Sequence, residues 1–122
     1  MTNLLKHTRR PDISFHANGR IRISANVVRT LAINPGDAIN IAMRDGEYFL
    51  HVIPASSGIG RHQGQCYPTK RGGHNFAVSS VRLCRSFFAA LGINSRRVAF
   101  AVGEAINSYG TTYLPIITRN PL

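Results

Sequence analysis

Short runs in which apolar and polar residues alternate dominate the first half of the chain. Two of them, residues 12–17 and 20–24, flank the dipeptide Asn18-Gly19. Strict alternation is typical of strands with one buried face, and Asn-Gly is typical of two-residue type I′ turns. The pattern therefore predicts a β-hairpin with a type I′ turn at its tip.

The second strand of this hairpin carries isoleucine and arginine at alternate positions. Ile21 and Ile23 share one face of the strand, and Arg20 and Arg22 share the other. Because burial of isoleucine side chains stabilises the folded protein, the isoleucines are expected to face the core. Both arginines are then left in solvent.

A helix and a second hairpin are predicted next. Apolar residues at helical spacing predict a helix of two turns over 25–32, with Ser24 as its N-cap. The runs 38–43 and 48–53 predict two strands, and a turn centred on Asp45-Gly46 joins them.

The second half repeats this order of elements. Residues 66–78 predict a hairpin that turns at 71–73, followed by a helix over 80–91 and strands at 97–102 and 112–117. The proline in the last run lacks a backbone donor. This strand is therefore expected at a sheet edge or at a bulge.

These elements divide the chain into four parts. A basic arm covers residues 1–11, a first hairpin–helix–hairpin module covers 12–54, a linker rich in Gly, Ser and Gln covers 55–65, and a second, diverged module covers 66–118. The predicted fold class is mostly β with short helices, built from two pseudo-repeated halves. At 122 residues, the chain is of single-domain size.

Positive charge is the main compositional feature. Arginine supplies thirteen of the fifteen basic residues, the formal net charge is +10, and residues 61–97 contain no acid. Arginine grips phosphate with two parallel hydrogen bonds, so this composition favours a nucleic-acid partner. The alternative to a nucleic-acid partner is that the high net charge only keeps the protein soluble.

Other functional classes have little support in the sequence. The five acidic residues are scattered, which argues against catalysis by paired carboxylates. The protein is therefore not expected to be an enzyme. His62, Cys66, His74 and Cys84 lack metal-ligand spacing, so no metal or other cofactor is expected, and Cys84 is assigned to the core. No apolar run is long enough to span a membrane or to form a signal peptide, so a cytoplasmic protein is expected.

Three segments of the first half form a connected motif. They are Asn-Gly-Arg-Ile-Arg-Ile-Ser at 18–24, Val-Arg-Thr-Leu-Ala-Ile at 28–33 and Pro-Gly-Asp-Ala-Ile at 35–39. This motif resembles the swapped-hairpin modules of the AbrB, SpoVT, MazE and MraZ proteins, over about residues 12–53 and faintly over 66–117. The resemblance implies a swapped-hairpin β-barrel of two interleaved modules, which come from one chain or from two. It also implies a DNA-binding transcription regulator or antitoxin.

The resemblance indicates particular DNA contacts. The family contacts on the Gly-Arg turn and on the helix arginine correspond to Arg20 and Arg29. Arg22 joins them because it shares the face of Arg20. Arg82 and Arg85 lie opposite the apolar stripe of the second helix, where they form either a phosphate site or a solvated face.

The expected partners are duplex DNA and further copies of this chain, in a homodimer or a larger homo-oligomer. An antitoxin would also bind a toxin, but the short polar segment 119–122 does not resemble the disordered tail that antitoxins usually carry. The alternative is a structural or oligomerisation protein that uses the same barrel for protein or RNA partners.

His16 and Arg97 are assigned to ordinary surface positions.

Overall fold

The computed structural model describes residues 10–59 and 63–122. Most of the predicted basic arm, residues 1–9, lies outside the described residues. So do residues 60–62 of the predicted linker, and His62 with them.

The described chain forms nine strands and two helices. The first half contains β1 (Ile13–His16), β2 (Arg20–Ile23), α1 (Ala25–Leu31), β3 (Ala38–Arg44) and β4 (Glu47–Ile53). The second half contains β5 (Tyr67–Pro68), β6 (Phe76–Ser79), α2 (Val81–Leu91), β7 (Arg97–Val102), β8 (Ile106–Ser108) and β9 (Thr111–Ile117). A 3₁₀ turn at Ala55–Ser57 follows β4. The predicted class, mostly β with short helices, is confirmed.

The strands form a curled antiparallel sheet with the shape of a half-barrel. Its order is β3-β4-β9-β7-β1-β2-β6-β5, and β8 pairs with β9 outside this path. Pairs of strands from the two halves therefore alternate across the sheet. The hairpin β1–β2 lies between β7 and β6, which both belong to the second half.

The two edges of the half-barrel meet at one end in the described residues. Ala38, at the start of β3, forms a bridge with Gln65. Next to it, the N–H of Cys66 donates to the C=O of Asp37 at 2.7 Å. Beyond this point β3 pairs with β4 along its whole length, and within residues 10–59 and 63–122 no strand pairs with its other side. The seam of the half-barrel is therefore closed at the start of β3 and open farther along it.

Apolar side chains from both halves fill one side of the curled sheet. The strands contribute Ile13, Phe15, Ile21, Ile23, Leu50, Phe76, Val78, Phe100 and Leu114. Helix α1 adds Val27 and Leu31, and helix α2 adds Cys84 and Phe87. The predicted inward orientation of the β2 isoleucines and the core position of Cys84 are both confirmed.

Helix α1 begins at its predicted N-cap, Ser24, and helix α2 begins at an N-cap that was not predicted, Ser80. The side chain of Ser24 accepts a hydrogen bond from the N–H of Val27 at 3.4 Å, and that of Ser80 accepts one from the N–H of Leu83 at 3.2 Å. Helix α2 ends at Gly92, which adopts the left-handed conformation that glycine tolerates best. In the described residues, neither helix has the length and hydropathy to cross a membrane.

The first hairpin of each half contacts the helix of the other half. The C=O of Gly19, in the β1–β2 turn, accepts a hydrogen bond from the N–H of Ser80 at 2.8 Å. The side-chain oxygen of Asn75, next to β6, accepts one from the N–H of Ala25 at 2.9 Å. Each helix therefore starts at a point that the opposite half fixes.

The turn between β1 and β2 differs from the prediction. The N–H of Gly19 donates to the C=O of His16 at 2.9 Å, so the central residues are Ala17 and Asn18. Asn18 does not have a positive φ, whereas Gly19 has a φ of +99°. The type I′ prediction is wrong, because a three-residue loop places glycine after a type I turn. The Asn18 side chain supports this form by accepting a hydrogen bond from the N–H of Arg20 at 3.0 Å.

Two other hairpins have type I′ turns. Asp45 and Gly46 have φ values of +53° and +77°, which confirms the predicted turn between β3 and β4. Tyr109 and Gly110 have φ values of +49° and +80° and join β8 to β9. Strand β8 was not predicted, because its residues lack an alternating apolar pattern.

Strand β9 lies between β4 and β7, so the first of the two predicted placements, a sheet edge, is wrong. The second, a bulge, agrees with the register, in which residues 104 and 105 lie opposite Leu114 alone. The C=O of Pro115 accepts a hydrogen bond from the N–H of Gly103 at 2.9 Å. The N and C=O of one strand residue point to the same side, so the missing N–H of Pro115 also faces the β7 side. There the chain leaves the ladder after Gly103, and pairing with β9 resumes at Ile106. The proline is tolerated inside the sheet because it lies beside this interruption.

Candidate nucleic-acid interface

Strand β2 presents two arginines on the outer side of the sheet. Ile21 and Ile23 are 0% and 1% exposed, whereas Arg20 and Arg22 are exposed. The strand pairs with β1 on one side and with β6 on the other. This two-sided pairing fixes the backbone from which both guanidinium groups extend into solvent.

Residues of the neighbouring strands enlarge this cationic surface. His16 pairs with Arg97 across β1 and β7. The charges of Arg97, Arg22 and Arg20 all act on the His16 ring. We call the surface formed by His16, Arg20, Arg22 and Arg97 the arginine face. Sequence reasoning missed Arg97 and His16, because the β1–β7 pairing joins residues that are far apart in the chain.

Two of the five acidic side chains are buried and bind the backbone. Asp12 accepts a hydrogen bond from the N–H of Val102 at 3.0 Å. Asp37 accepts two hydrogen bonds from backbone N–H groups, at 2.8 and 2.9 Å. The other three acidic residues are exposed in or beside turns, at Asp45, Glu47 and Glu104. The carboxylates within reach of an outside partner therefore belong to the β3–β4 and β7–β8 turns.

The predicted helix arginines lie on different elements from Arg20 and Arg22. Arg29 is exposed in the last turn of α1. Helix α1 follows the C-terminal end of β2, whereas Arg20 lies at the N-terminal end of that strand. Arg82 and Arg85 are exposed on α2, and Arg82 lines a groove between α2 and β3. Of the five predicted arginines, the structure thus places two on one strand and three on helices.

His16 is a half-buried imidazole in cationic surroundings. Burial lowers its pKa below the usual 6.5, and the charges of Arg97, Arg22 and Arg20 lower it further. Its Nε2 atom is buried and has no hydrogen-bond partner among the described residues. The ring is therefore neutral at pH 7, and the charge of the arginine face comes from its arginines.

We expect the His16 ring to titrate with a midpoint below 6.5 when its proton resonances are followed by NMR against pH. Arg97→Ala removes the largest of the charges that lower the pKa, so the midpoint should rise, while Arg44→Ala should leave it unchanged. Because the pKa is lower in the folded state, the unfolded state protonates first as pH falls. His16 thus reduces stability below about pH 6.5. A midpoint at or above 6.5 would contradict this assignment.

Both cysteines are buried free thiols. Burial and the nearby Asp37 raise the pKa of Cys66 to about 12. Burial also raises the pKa of Cys84, against a smaller lowering by a backbone hydrogen bond from His16. Nucleophilic chemistry needs the thiolate, so these protonated thiols serve as core side chains. In the part of the chain that the structure describes, no three His, Cys, Asp or Glu side chains are grouped closely enough to hold a metal ion.

Comparisons of the chain with protein-family models, with curated proteins and with solved structures found no match. The protein is therefore classified by its own fold and surface. It is a small, basic, mostly-β protein that displays arginines on a strand paired on both sides.

Proposed function

We propose that the protein binds duplex DNA through the arginine face. The observation that carries this proposal is the contrast along β2, where Arg20 and Arg22 are exposed and Ile21 and Ile23 are buried. Residues two apart on a strand lie about 7 Å from each other, so both side chains reach phosphates on the same side of a duplex. The backbone that carries them is paired on both sides, so it need not rearrange when DNA binds.

The swapped-hairpin barrel is the architecture that we propose for this function. Two observations support it. The hairpin β1–β2 is inserted between β7 and β6, as interleaved modules require. The bridge from Ala38 to Gln65 also brings β3 toward the β5 end of the sheet. Both modules would then come from one chain, as the resemblance to the MraZ type implies.

The charge of the proposed interface is one-sided. Arg22 pairs with Ala77, and Arg20 pairs with Ser79, so β6 offers small neutral residues where β2 offers arginines. A single chain therefore presents one set of strand arginines to DNA. A site with twofold symmetry would need a second chain, and this supports a homodimeric transcription regulator.

The test is a binding titration of the full chain on a labelled 30-base-pair duplex at two salt concentrations. We expect the double variant R20A/R22A to lose at least tenfold in affinity, and the log–log salt slope to fall by about two, because about one counterion is released per phosphate contact. The double variant R44A/R71A is the matched control, because it removes the same two charges from exposed positions on other elements.

Each outcome bears on the proposal. A loss confined to R20A/R22A would support binding through the arginine face. No binding by the wild type, or equal losses in the strand and control variants, would contradict it. Equal losses would show that net charge, and not this face, attracts DNA. Binding to RNA or protein in place of DNA would favour the alternative of a structural or oligomerisation role.

A further inference from the structure

A groove of about 750 Å³ runs along the open seam of the half-barrel. Strand β3 forms one wall with Ile39, Ile41 and Met43, and α2 forms the other with Arg82 and Ser86. Met43 is 66% exposed, which is high for an apolar side chain. The groove lies between a strand edge and a helix.

The strand wall of this groove carries backbone groups that are not paired with a strand among the described residues. The C=O of Asp37 faces the seam, because it accepts the N–H of Cys66. Backbone groups on a strand alternate in direction, so those of Ile39, Ile41 and Met43 face the seam as well. Ile39 adjoins the Ala38–Gln65 bridge, so the groups beyond the bridge are those of Ile41 and Met43. In the described residues, the ladder on this side stops at Ala38. This free edge can accept another strand.

The side chain of Asn40 is hydrogen-bonded to one of these backbone groups. Its Oδ1 atom accepts a hydrogen bond from the N–H of Ile41 at 2.8 Å. This contact satisfies the donor without a neighbouring strand and protects the edge against random pairing. Asn40 therefore competes with any strand that docks on β3.

Among the described residues, the end of the linker packs against β6 beside the groove. Gly64 packs against the backbone of Ser79, so closely that even a Cβ atom would overlap the Ser79 carbonyl. This contact holds the end of the linker against β6.

We propose that the groove binds an acidic peptide in extended conformation, which adds to β3 as a further strand. Its backbone would pair with the free edge, and its apolar side chains would pack on Ile41 and Met43. Charge selects the partner. Arg82 is the charged side chain among the described lining residues, no acid lines the groove, and the chain carries a net charge of +10.

The same charges disfavour a second copy of the chain as the occupant. Two copies docked edge to edge about a twofold axis would place two Arg82 side chains on one shared groove, with no acid from either lining. Like charges that are brought together in this way oppose association.

The proposal is tested with the full chain and a fluorescein-labelled octapeptide of alternating Val and Asp, followed by fluorescence anisotropy. The control peptide has Lys in place of Asp. We expect the acidic peptide to bind and the basic peptide not to bind. We expect Arg82→Glu to weaken binding about tenfold, because it reverses the charge that selects the partner. Arg71→Glu makes the same charge change on an exposed turn outside the groove and should change affinity less than twofold.

Backbone pairing has its own test. N-methylation of one alternate set of peptide residues removes the N–H groups that face β3, and this should abolish binding. Methylation of the other set should not. Asn40→Ala frees the N–H of Ile41 and should tighten binding about threefold to tenfold, the value of one hydrogen bond.

Several outcomes would overturn the proposal. Equal effects of the two methylation patterns would show that side-chain charge alone holds the peptide. Equal binding of the basic peptide would show that charge does not select the partner. A concentration-dependent dimer that Arg82→Glu strengthens and that excludes the peptide would identify a second copy as the occupant.

Discussion

Phe87→Ala is expected to lower the free energy of unfolding by about 3–5 kcal/mol, because it removes a large side chain from the centre of the core. Phe87 is 3% exposed. Its ring centroid lies 4.8 Å from that of Phe15, 5.3 Å from that of Tyr48 and 5.8 Å from that of Phe100. These three rings belong to strands β1, β4 and β7, so one side chain joins α2 to three strands from both halves.

The measurement is urea unfolding followed by circular dichroism. Phe88→Ala is the matched control, since Phe88 is the next residue of α2 and is only half-buried. It should cost clearly less, because fewer contacts are lost and water fills part of the space. Equal losses in the two variants would mean that helix α2 is destabilised as a whole, and that the aromatic cluster is not its main anchor.

Gly19→Ala is expected to cost about 2–4 kcal/mol, because it combines backbone strain with overpacking. Gly19 has a φ of +99°, and a Cβ atom there would lie 2.7 Å from Cγ2 and 2.8 Å from the backbone N of Val81. The C=O of Gly19 also accepts a hydrogen bond from the N–H of Ser80 at 2.8 Å. The turn and the start of α2 would have to separate, and this would displace Arg20 from the proposed interface.

Gly46→Ala separates the two causes in the same unfolding experiment. Gly46 also has a positive φ, +77°, but a Cβ atom there would meet nothing within 4 Å. Gly46→Ala should lower the free energy of unfolding by about 1 kcal/mol, which is the cost of the left-handed backbone alone. If both variants lost the same amount, the close approach of Gly19 to α2 would contribute nothing to stability.

The features that the sequence predicted correctly depend on neighbours in the chain. Alternation alone indicated that Ile21 and Ile23 are buried and that Arg20 and Arg22 are exposed. The N-cap of α1 and the turn at Asp45-Gly46 also follow from residues within one turn of the chain. Such preferences act locally and are strong enough to survive in the folded protein.

The features that the sequence did not predict depend on strand pairing between distant segments. Pro115 indicated a sheet edge or a bulge, but only the pairing of β9 with β7 and β8 shows that the strand is inside the sheet, beside an interrupted ladder. Arg97 joined the arginine face because β7 pairs with β1. The groove exists because the seam closes at Ala38 and not beyond it. None of these pairings leaves a periodicity in the sequence.

The alternation of strand pairs from the two halves has a consequence for biosynthesis. Ile13 pairs with Phe100, and β2 pairs with β6, so the first hairpin gains its flanking strands only after most of the chain has left the ribosome. Pairing between segments so distant in sequence is slow, since a long loop must close before any contact forms. Until then, both edges of the nascent β1–β2 hairpin are open to chaperones and to neighbouring chains.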